Sequence, residues 1–331
     1  MTIITHKPRG CQSCVRAENG ESMSITREEI TAVKGRGFLQ NRGTECFSGR
    51  VVSVAGQFSA ADLRTVAECA ERYGSGQVIF TSRLSAEIVG IPFARIPEAE
   101  AFMAAHGLSF GGTGAKVRPV VACKGTTCVF GNVDTRALAG VIHERFYIGM
   151  RSVKLPHKLK IGVGGCPNSC MKPSLNDIGV EGVRMISFDP EACRGCARCA
   201  VAAACPSRAV TVADGRAVID AERCTRCGVC VGKCPFGAVP KEAASALRVF
   251  VGGTWGKTQR VGTPLSSLYT VDEIPDLIEK ILLFYKENGY MKERLGQTVD
   301  RLGIAALEAA LAGGDLLARR EEILSKPICE G

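Results

Sequence analysis

Two close cysteine pairs are the residues best placed to do chemistry. Cys123-Lys-Gly-Thr-Thr-Cys128 and Cys166-Pro-Asn-Ser-Cys170 stand 37 residues apart. Thiolates are soft donors, and four of them in two pairs can hold one iron–sulfur cluster. Each pair follows a short apolar run, Pro119-Val-Val-Ala122 and Lys160-Ile-Gly-Val163. Two strands that end on their ligands would bring the pairs together.

A second set of cysteines lies downstream. Cys224-x2-Cys227-x2-Cys230-x3-Cys234-Pro235 has the spacing of a bacterial ferredoxin run, and Cys193-x2-Cys196-x2-Cys199-x5-Cys205-Pro206 is its partner with a longer last gap. In such runs the first three thiolates wrap one cube and the fourth serves the other. The expected sets are Cys193, Cys196, Cys199 and Cys234 for one cluster, and Cys224, Cys227, Cys230 and Cys205 for the second. Zinc is the alternative for any single CxxC, but eight cysteines in this tandem order favour iron–sulfur. The first two pairs are then a separate cluster outside the ferredoxin segment.

Composition limits the other readings. Seventeen cysteines in 331 residues, with no apolar leader after Met1, point to redox centres in a cytoplasmic protein rather than to disulfides. No run approaches a membrane-spanning length, so no membrane span is expected. The net charge of +9 is scattered without aromatic interleaving. Nucleic acid is therefore disfavoured against a small-anion site and acidic electron-transfer partners.

The elements that must position the cysteines read as follows. Residues 50–56 form a strand, Ser59 caps a helix from Ala60 to Tyr73, and residues 76–81 form a further strand. A helix follows near 96–106. Thr135 to Phe146 is helical, with Ala137, Leu138, Val141 and Ile142 on one face. Residues 247–251 are a strand, and 274–288 and 291–311 are helices. Gly252-Gly-Thr-Trp-Gly-Lys-Thr258 resembles a P-loop with one residue too few, so nucleotide binding is rejected in favour of a cofactor-carboxylate loop or a turn. Cys69 is read as packing, and Cys11 with Cys14 as a free pair with too few ligands for a metal site.

The motifs together resemble the siroheme-dependent nitrite/sulfite reductase family, and within it the anaerobic sulfite reductases. The resemblance rests on Cys123-x4-Cys128, Gly165-Cys-Pro-Asn-Ser-Cys170 with Pro173 and Asp177-Ile-Gly179, and the lysine-bearing Leu155-Pro-His-Lys158-Leu-Lys160. Gln77-Val-Ile-Phe-Thr-Ser-Arg83 is similar to the family's arginine strand, and Arg294-Leu-Gly-Gln-Thr-Val-Asp-Arg-Leu-Gly303 to its C-terminal helix. It implies an α+β siroheme nitrite/sulfite reductase fold, a ferredoxin-like α/β half-domain plus a siroheme/4Fe-4S domain, with an inserted bacterial 2[4Fe-4S] ferredoxin module. The expected divisions are a lead-in over 1–45, the half-domain over 46–118, the siroheme/4Fe-4S domain over 119–187 and 241–331, and the ferredoxin insert over 188–240.

The resemblance also implies chemistry. Cys170 bridges a cluster iron and the siroheme iron. Arg83, Lys158 and Lys160 take the anion-binding and proton-donating positions, with the two lysines on one face of a strand. Arg118 and Asn168 are candidates for the siroheme carboxylates. The cofactors implied are siroheme and three [4Fe-4S] clusters. The reaction is six-electron reduction of sulfite to sulfide by the catalytic subunit of an anaerobic, dissimilatory-type enzyme. Electrons come from flavin and iron–sulfur partner subunits, and the chain is expected to form an oligomer whose cations face a neighbour's siroheme. Two alternatives stand: a nitrite reductase with the same cofactors, and an iron–sulfur electron carrier without siroheme, which would have no need of Arg83, Lys158 and Lys160. Arg50 lies near a further family arginine but out of register.

Overall fold

The computed structural model describes residues 25–330; Cys11 and Cys14 lie outside them. The chain divides into two compact units, up to Pro119 and from Val120 onward.

The first unit opens with α1 (Arg27–Gly35), where Thr26 and Glu29 form a capping box, followed by β1 (Phe38–Gln40) and β2 (Cys46–Val51). Then come α2 (Ala60–Tyr73), β3 (Val78–Phe80), β4 (Ala86–Pro92) and α3 (Ile96–Ala105). Ser59 and Asp62 cap each other reciprocally at the start of α2, satisfying two otherwise orphaned backbone donors. The sheet order is β1-β2-β4-β3 and every pair is antiparallel. Phe38, Phe47, Ile88 and Ile91 from the sheet pack on Val66, Cys69, Met103 and their neighbours from the helices. Burial pushes the Cys69 thiol up to about 12, so it serves as packing. The strand expected over 50–56 is in fact β2, ending at Val51. Ala55 (φ 53°) and Gly56 (φ 75°) are left-handed and turn the chain where the strand would have continued.

The second unit is built on a five-stranded sheet of order β11-β10-β7-β6-β5. Its strands are β5 (Val121–Ala122), β6 (Ile161–Gly164), β7 (Ile178–Arg184), β10 (Ser245–Val251) and β11 (Thr263–Tyr269). β5, β6 and β7 run parallel, while β10 and β11 complete the sheet antiparallel. β6 and most of β7 are buried along their whole length, as expected for strands covered on both faces. At Gly179 a Cβ would lie 2.0 Å from the Pro173 carbonyl oxygen, so only glycine fits that crossing. Between β7 and β10 the chain makes an excursion over residues 185–244. It contains α5 (Ala200–Ala204) and the hairpin β8 (Val210–Ala213) with β9 (Arg216–Ile219).

α4 (Thr135–Ile142) joins β5 to β6 and passes into a π turn over His143–Ile148 rather than running on to Phe146. Its buried face is Thr135, Leu138, Ala139 and Ile142. Ala137 and Val141, expected on one face with Leu138 and Ile142, are exposed, Val141 by 53%. α6 (Ile274–Asn288) is buried along most of its length and even encloses Glu279, paired with Arg145 and Arg320. The single helix expected over 291–311 is two, α7 (Leu295–Leu302) and α8 (Ile304–Ala312), separated by Gly303 at φ 89°. Short helices α9 (Asp315–Ala318) and α10 (Arg320–Ser325) follow.

One buried ion pair ties these elements together. Asp177, fully buried just before β7, accepts from both Nε and Nη2 of Arg294, which stands just before α7, at 2.7–3.0 Å. The same carboxylate accepts the Lys160 backbone N–H at 2.8 Å. Burial pushes the Asp177 carboxyl up, and the Arg294 guanidinium pulls it back down. Replacing one partner leaves the other charge uncompensated. Asp177→Ala is expected to lower stability by about 3–5 kcal/mol, read as a shift of the denaturant midpoint of the anaerobically purified protein. A loss below about 1 kcal/mol, the range of an exposed pair, would show the pair to be dispensable.

Candidate redox and anion site

The parallel pairing of β5 and β6 joins the two cysteine pairs. Ala122 sits opposite Val163, and the Cys123 N–H donates to the Val163 carbonyl at 3.1 Å. Cys123 therefore leaves the end of β5 beside the glycines that end β6. The Gly165 and Gly125 N–H groups donate to Cys123 Sγ at 3.1 and 3.4 Å. Cys128 closes the 3-10 turn Gly125–Thr127, its N–H donating to the Gly125 carbonyl at 2.9 Å.

Cys166 and Cys170 lie on one tight loop. The Ser169 N–H donates to the Cys166 carbonyl at 3.1 Å, and Ser169 (φ 54°) and Lys172 (φ 47°) are both left-handed. Non-glycine residues in that region are uncommon and persist where surrounding contacts hold them. Burial pushes the Cys166 thiol up, the Asn168 N–H pulls it down, and Cys123, Cys128 and Cys170 are near enough to push it up further. The other three cysteines thus lie on Cys166's side of the sheet end. Thiolates gathered in one region repel one another unless a cation lies among them, and a metal ligated by thiols keeps them deprotonated. The donor set and its backbone N–H groups fit an iron–sulfur cluster, with Cys170 exposed at the rim.

The candidate cations fall into two groups. Lys158 and Lys160 are half-buried on either side of the buried Leu159, in the extended approach to β6 rather than within it. The bond from the Lys160 N–H to Asp177 fixes this approach. Arg83 and Arg118 belong to the first unit. Arg83 is in the turn between β3 and β4 and not on a strand; its Nη2 donates to the Pro119 carbonyl at 2.9 Å. Arg118 donates to the Gly112 carbonyl. Arg50 on β2 pairs with Glu87 and also reaches the Gly112 carbonyl at 3.2 Å. Asn168 is exposed on the cysteine loop.

The Gly252–Thr258 loop, expected to be a cofactor-carboxylate loop or a turn, lies beside the Asp177 and Lys172 segment. Gly252 N–H donates to the Asp177 carbonyl at 2.7 Å, and the Lys172 ammonium lies 5.5 Å from the centre of the exposed Trp255 ring. An isolated tryptophan and a lysine far apart in sequence carry no local signal of such a meeting.

In the excursion, Cys193, Cys196, Cys199 and Cys234 line one cavity, and Cys205, Cys224, Cys227 and Cys230 line another. α5 fills the lengthened interval before Cys205. The Ala209 N–H donates to Cys205 Sγ and the Ala217 N–H to Cys193 Sγ, both at 3.3 Å. Among the described residues no three His, Cys, Asp or Glu side chains converge as a lone metal ion would need. No helix among the described residues is long and apolar enough to cross a membrane.

Comparison with known proteins agrees with this architecture. Residues 113–314 match the nitrite and sulphite reductase 4Fe-4S domain, and residues 38–106 the nitrite/sulfite reductase ferredoxin-like half domain. The chain is 31% identical over 277 residues to the coenzyme F420-dependent sulfite reductase of Methanocaldococcus jannaschii, covering 83% of this chain but 42% of that protein's length. It is 31% identical over 286 residues to one of the subunits of the anaerobic sulfite reductase of Salmonella typhimurium, covering 78% of this chain and 81% of that one. The crystal structure of dissimilatory sulfite reductase I superposes with a TM-score of 0.65 over 86% of this chain and 72% of that one, at 23% identity. From these matches and the cysteine geometry, the chain belongs to the nitrite and sulphite reductase family, with a mixed α+β fold of a ferredoxin-like half-domain and a 4Fe-4S domain.

Proposed function

We propose that this chain is the catalytic subunit of an anaerobic-type sulfite reductase, reducing sulfite to sulfide by six electrons at a siroheme. The observation that carries this reading is the meeting of Cys123, Cys128, Cys166 and Cys170 beyond the parallel ends of β5 and β6, with Lys158 and Lys160 leading into the same strand. An electron carrier would need the thiols but not the lysines. When bound, siroheme and its linked [4Fe-4S] cluster supply an electron-rich iron with stored electrons beside it.

The chain's own residues do the rest. Cys170, exposed on the cysteine loop, would hold the cluster on the side facing the siroheme and link the two. Arg83, Lys158 and Lys160 hold a small oxyanion, and the lysines pass protons to the oxygens that leave as water. Arg118 and Asn168 hold siroheme carboxylates. Residues 188–240 act as an inserted ferredoxin module with two further [4Fe-4S] clusters, three in all, and the remaining divisions follow the expected boundaries. The cysteine-lined cavities there support this. Electrons arrive from flavin and iron–sulfur partner proteins in the cytoplasm. The chain works as an oligomer in which Arg83 and the lysines of one copy serve the siroheme of another. Nitrite is the second reading, since the family takes its name from both anions.

Two experiments test the site. Anaerobically purified protein should show isobacteriochlorin bands with extractable siroheme. Cys170→Ser should abolish the siroheme–cluster coupling while leaving the clusters of residues 188–240 in place. Iron and sulfide without extractable pigment would leave only the carrier reading. Separately, Lys158→Ala and Lys160→Ala should each lower kcat/KM for sulfite about tenfold or more, the scale of a lost charged hydrogen bond. Steady-state assays with reduced methyl viologen read this, and unchanged values would remove the lysines from the anion site.

A further inference from the structure

Arg184 is the last residue of β7 and the last before the excursion. Its backbone N–H donates to the Arg226 carbonyl at 2.9 Å, next to Cys227. Its stem lies over Gly228, where a Cβ would stand 2.5 Å from Arg184 Cγ and where φ is 83°. Arg184 lines the same cleft as Cys227. Nε donates to Asn132 Oδ1 at 3.0 Å, and Nη1 donates to the Ala243 carbonyl at 2.9 Å.

Asn132 is held by all of its polar atoms. Besides accepting from Arg184, its N–H donates to the Gly165 carbonyl at 2.8 Å and its Nδ2 to the Gly182 carbonyl at 3.2 Å. Its own carbonyl accepts from Ser245 Oγ at 2.7 Å. Gly165 precedes Cys166 and donates its N–H to Cys123 Sγ at 3.1 Å. An unbroken series of covalent and hydrogen bonds therefore runs from the Cys227 loop through Arg184 and Asn132 to Cys123 and Cys166. It crosses an open cleft of about 520 Å³ whose lining includes Phe130, Asn132, Arg184, Cys227 and Gly228.

We propose that the Arg184–Asn132 bridge positions two clusters for electron transfer. One is held by Cys205, Cys224, Cys227 and Cys230, the other by Cys123, Cys128, Cys166 and Cys170. The first cluster is the inner station of the relay, and the one held by Cys193, Cys196, Cys199 and Cys234 is the entry. This rests on the electron-transfer reading above. One electron leaves the reduced inner [4Fe-4S] cluster and enters the oxidised cluster of the β5–β6 site; no bond forms or breaks and no proton moves. Arginine suits the role because its planar fork reaches two acceptors at once while its stem packs on glycine. Its positive charge beside Cys227 also favours the reduced state of that cluster. Arg184 and Asn132 are positioning residues: neither ligates a metal.

The test compares wild type with Arg184→Met, which keeps the stem and loses both donors, and Arg184→Lys, which keeps the charge. Reduced methyl viologen is mixed with each, and rapid-freeze EPR follows every cluster separately. In Arg184→Met the clusters of residues 188–240 should reduce at the wild-type rate, and the β5–β6 cluster about 10- to 100-fold more slowly, the scale of lost outer-shell support around a metal site. The potential of the inner cluster should fall in Arg184→Met and hold in Arg184→Lys, whose transfer rate should lie between. Equal rates for the β5–β6 cluster at full iron content would overturn the proposal. Should Arg184→Met fail to assemble, a wild-type rate in Arg184→Lys overturns it and a slowed one supports it. The readout is the cluster itself, so wild-type protein without siroheme would sink the sulfite reductase reading and leave this test intact.

Discussion

The register of β5 against β6 is the constraint on which the rest depends. Two cysteine pairs separated by 37 residues meet only because Ala122 pairs in parallel with Val163 and both strands then end. Parallel neighbours need a crossover, and α4 supplies it within that interval. A slip by one residue would turn Cys123 away from Gly165 and Gly125, whose N–H groups now point at its sulfur. Ligands beyond the carboxyl ends of parallel strands are a general outcome of this geometry. The glycines at the crossing let the cysteine loop come down onto the sheet, and Gly179 beneath Pro173 admits no side chain.

Charge is distributed to match. The lysine approach to β6 is pinned by a carboxylate that is itself buried and held by Arg294, so the cationic segment rests on a rigid anion rather than on solvent. That pair joins the sheet to α7 and fixes the Lys160 backbone before β6. Arg184 plays the corresponding part on the opposite end of β7. The strand thus carries a buried acid before its first residue and a bridging base at its last. The lysine approach stands before β6, whereas the cysteine site and Arg184 stand at the far ends of the parallel strands β6 and β7, and a rigid sheet keeps such spacings more constant than loops would.

The sequence is most legible where signals are local. α2 can be read to the residue because Ser59 and Asp62 cap each other three positions apart, and α6 because its apolar residues recur with helical spacing up to Gly289. The cysteine runs are legible for the same reason. β7 escapes notice: a strand buried on both faces and broken by glycines, Ile178-Gly-Val-Glu-Gly-Val-Arg184, has no polar–apolar alternation. The strand over 50–56 and the helix over 291–311 are overextended because Ala55 and Gly303 take left-handed conformations that composition alone does not reveal. Val141 is expected on one face with Leu138 and Ile142, but the buried face of α4 takes Thr135 and Ala139 with those two instead. Arg83 is expected on a strand but sits in the turn after it. Asn132, Arg184 and the Asp177–Arg294 pair gain their meaning only from contacts dozens of residues apart in sequence.

The central claim is that Cys123, Cys128, Cys166 and Cys170 hold a cluster linked through Cys170 to a siroheme iron. Mössbauer spectroscopy of protein enriched in the active iron isotope, purified without oxygen, tests it most directly. One [4Fe-4S] cluster is expected to share the paramagnetism of a haem-type iron, while the other clusters do not. Clusters that are all magnetically isolated, or no haem-type iron in fully loaded protein, would contradict it.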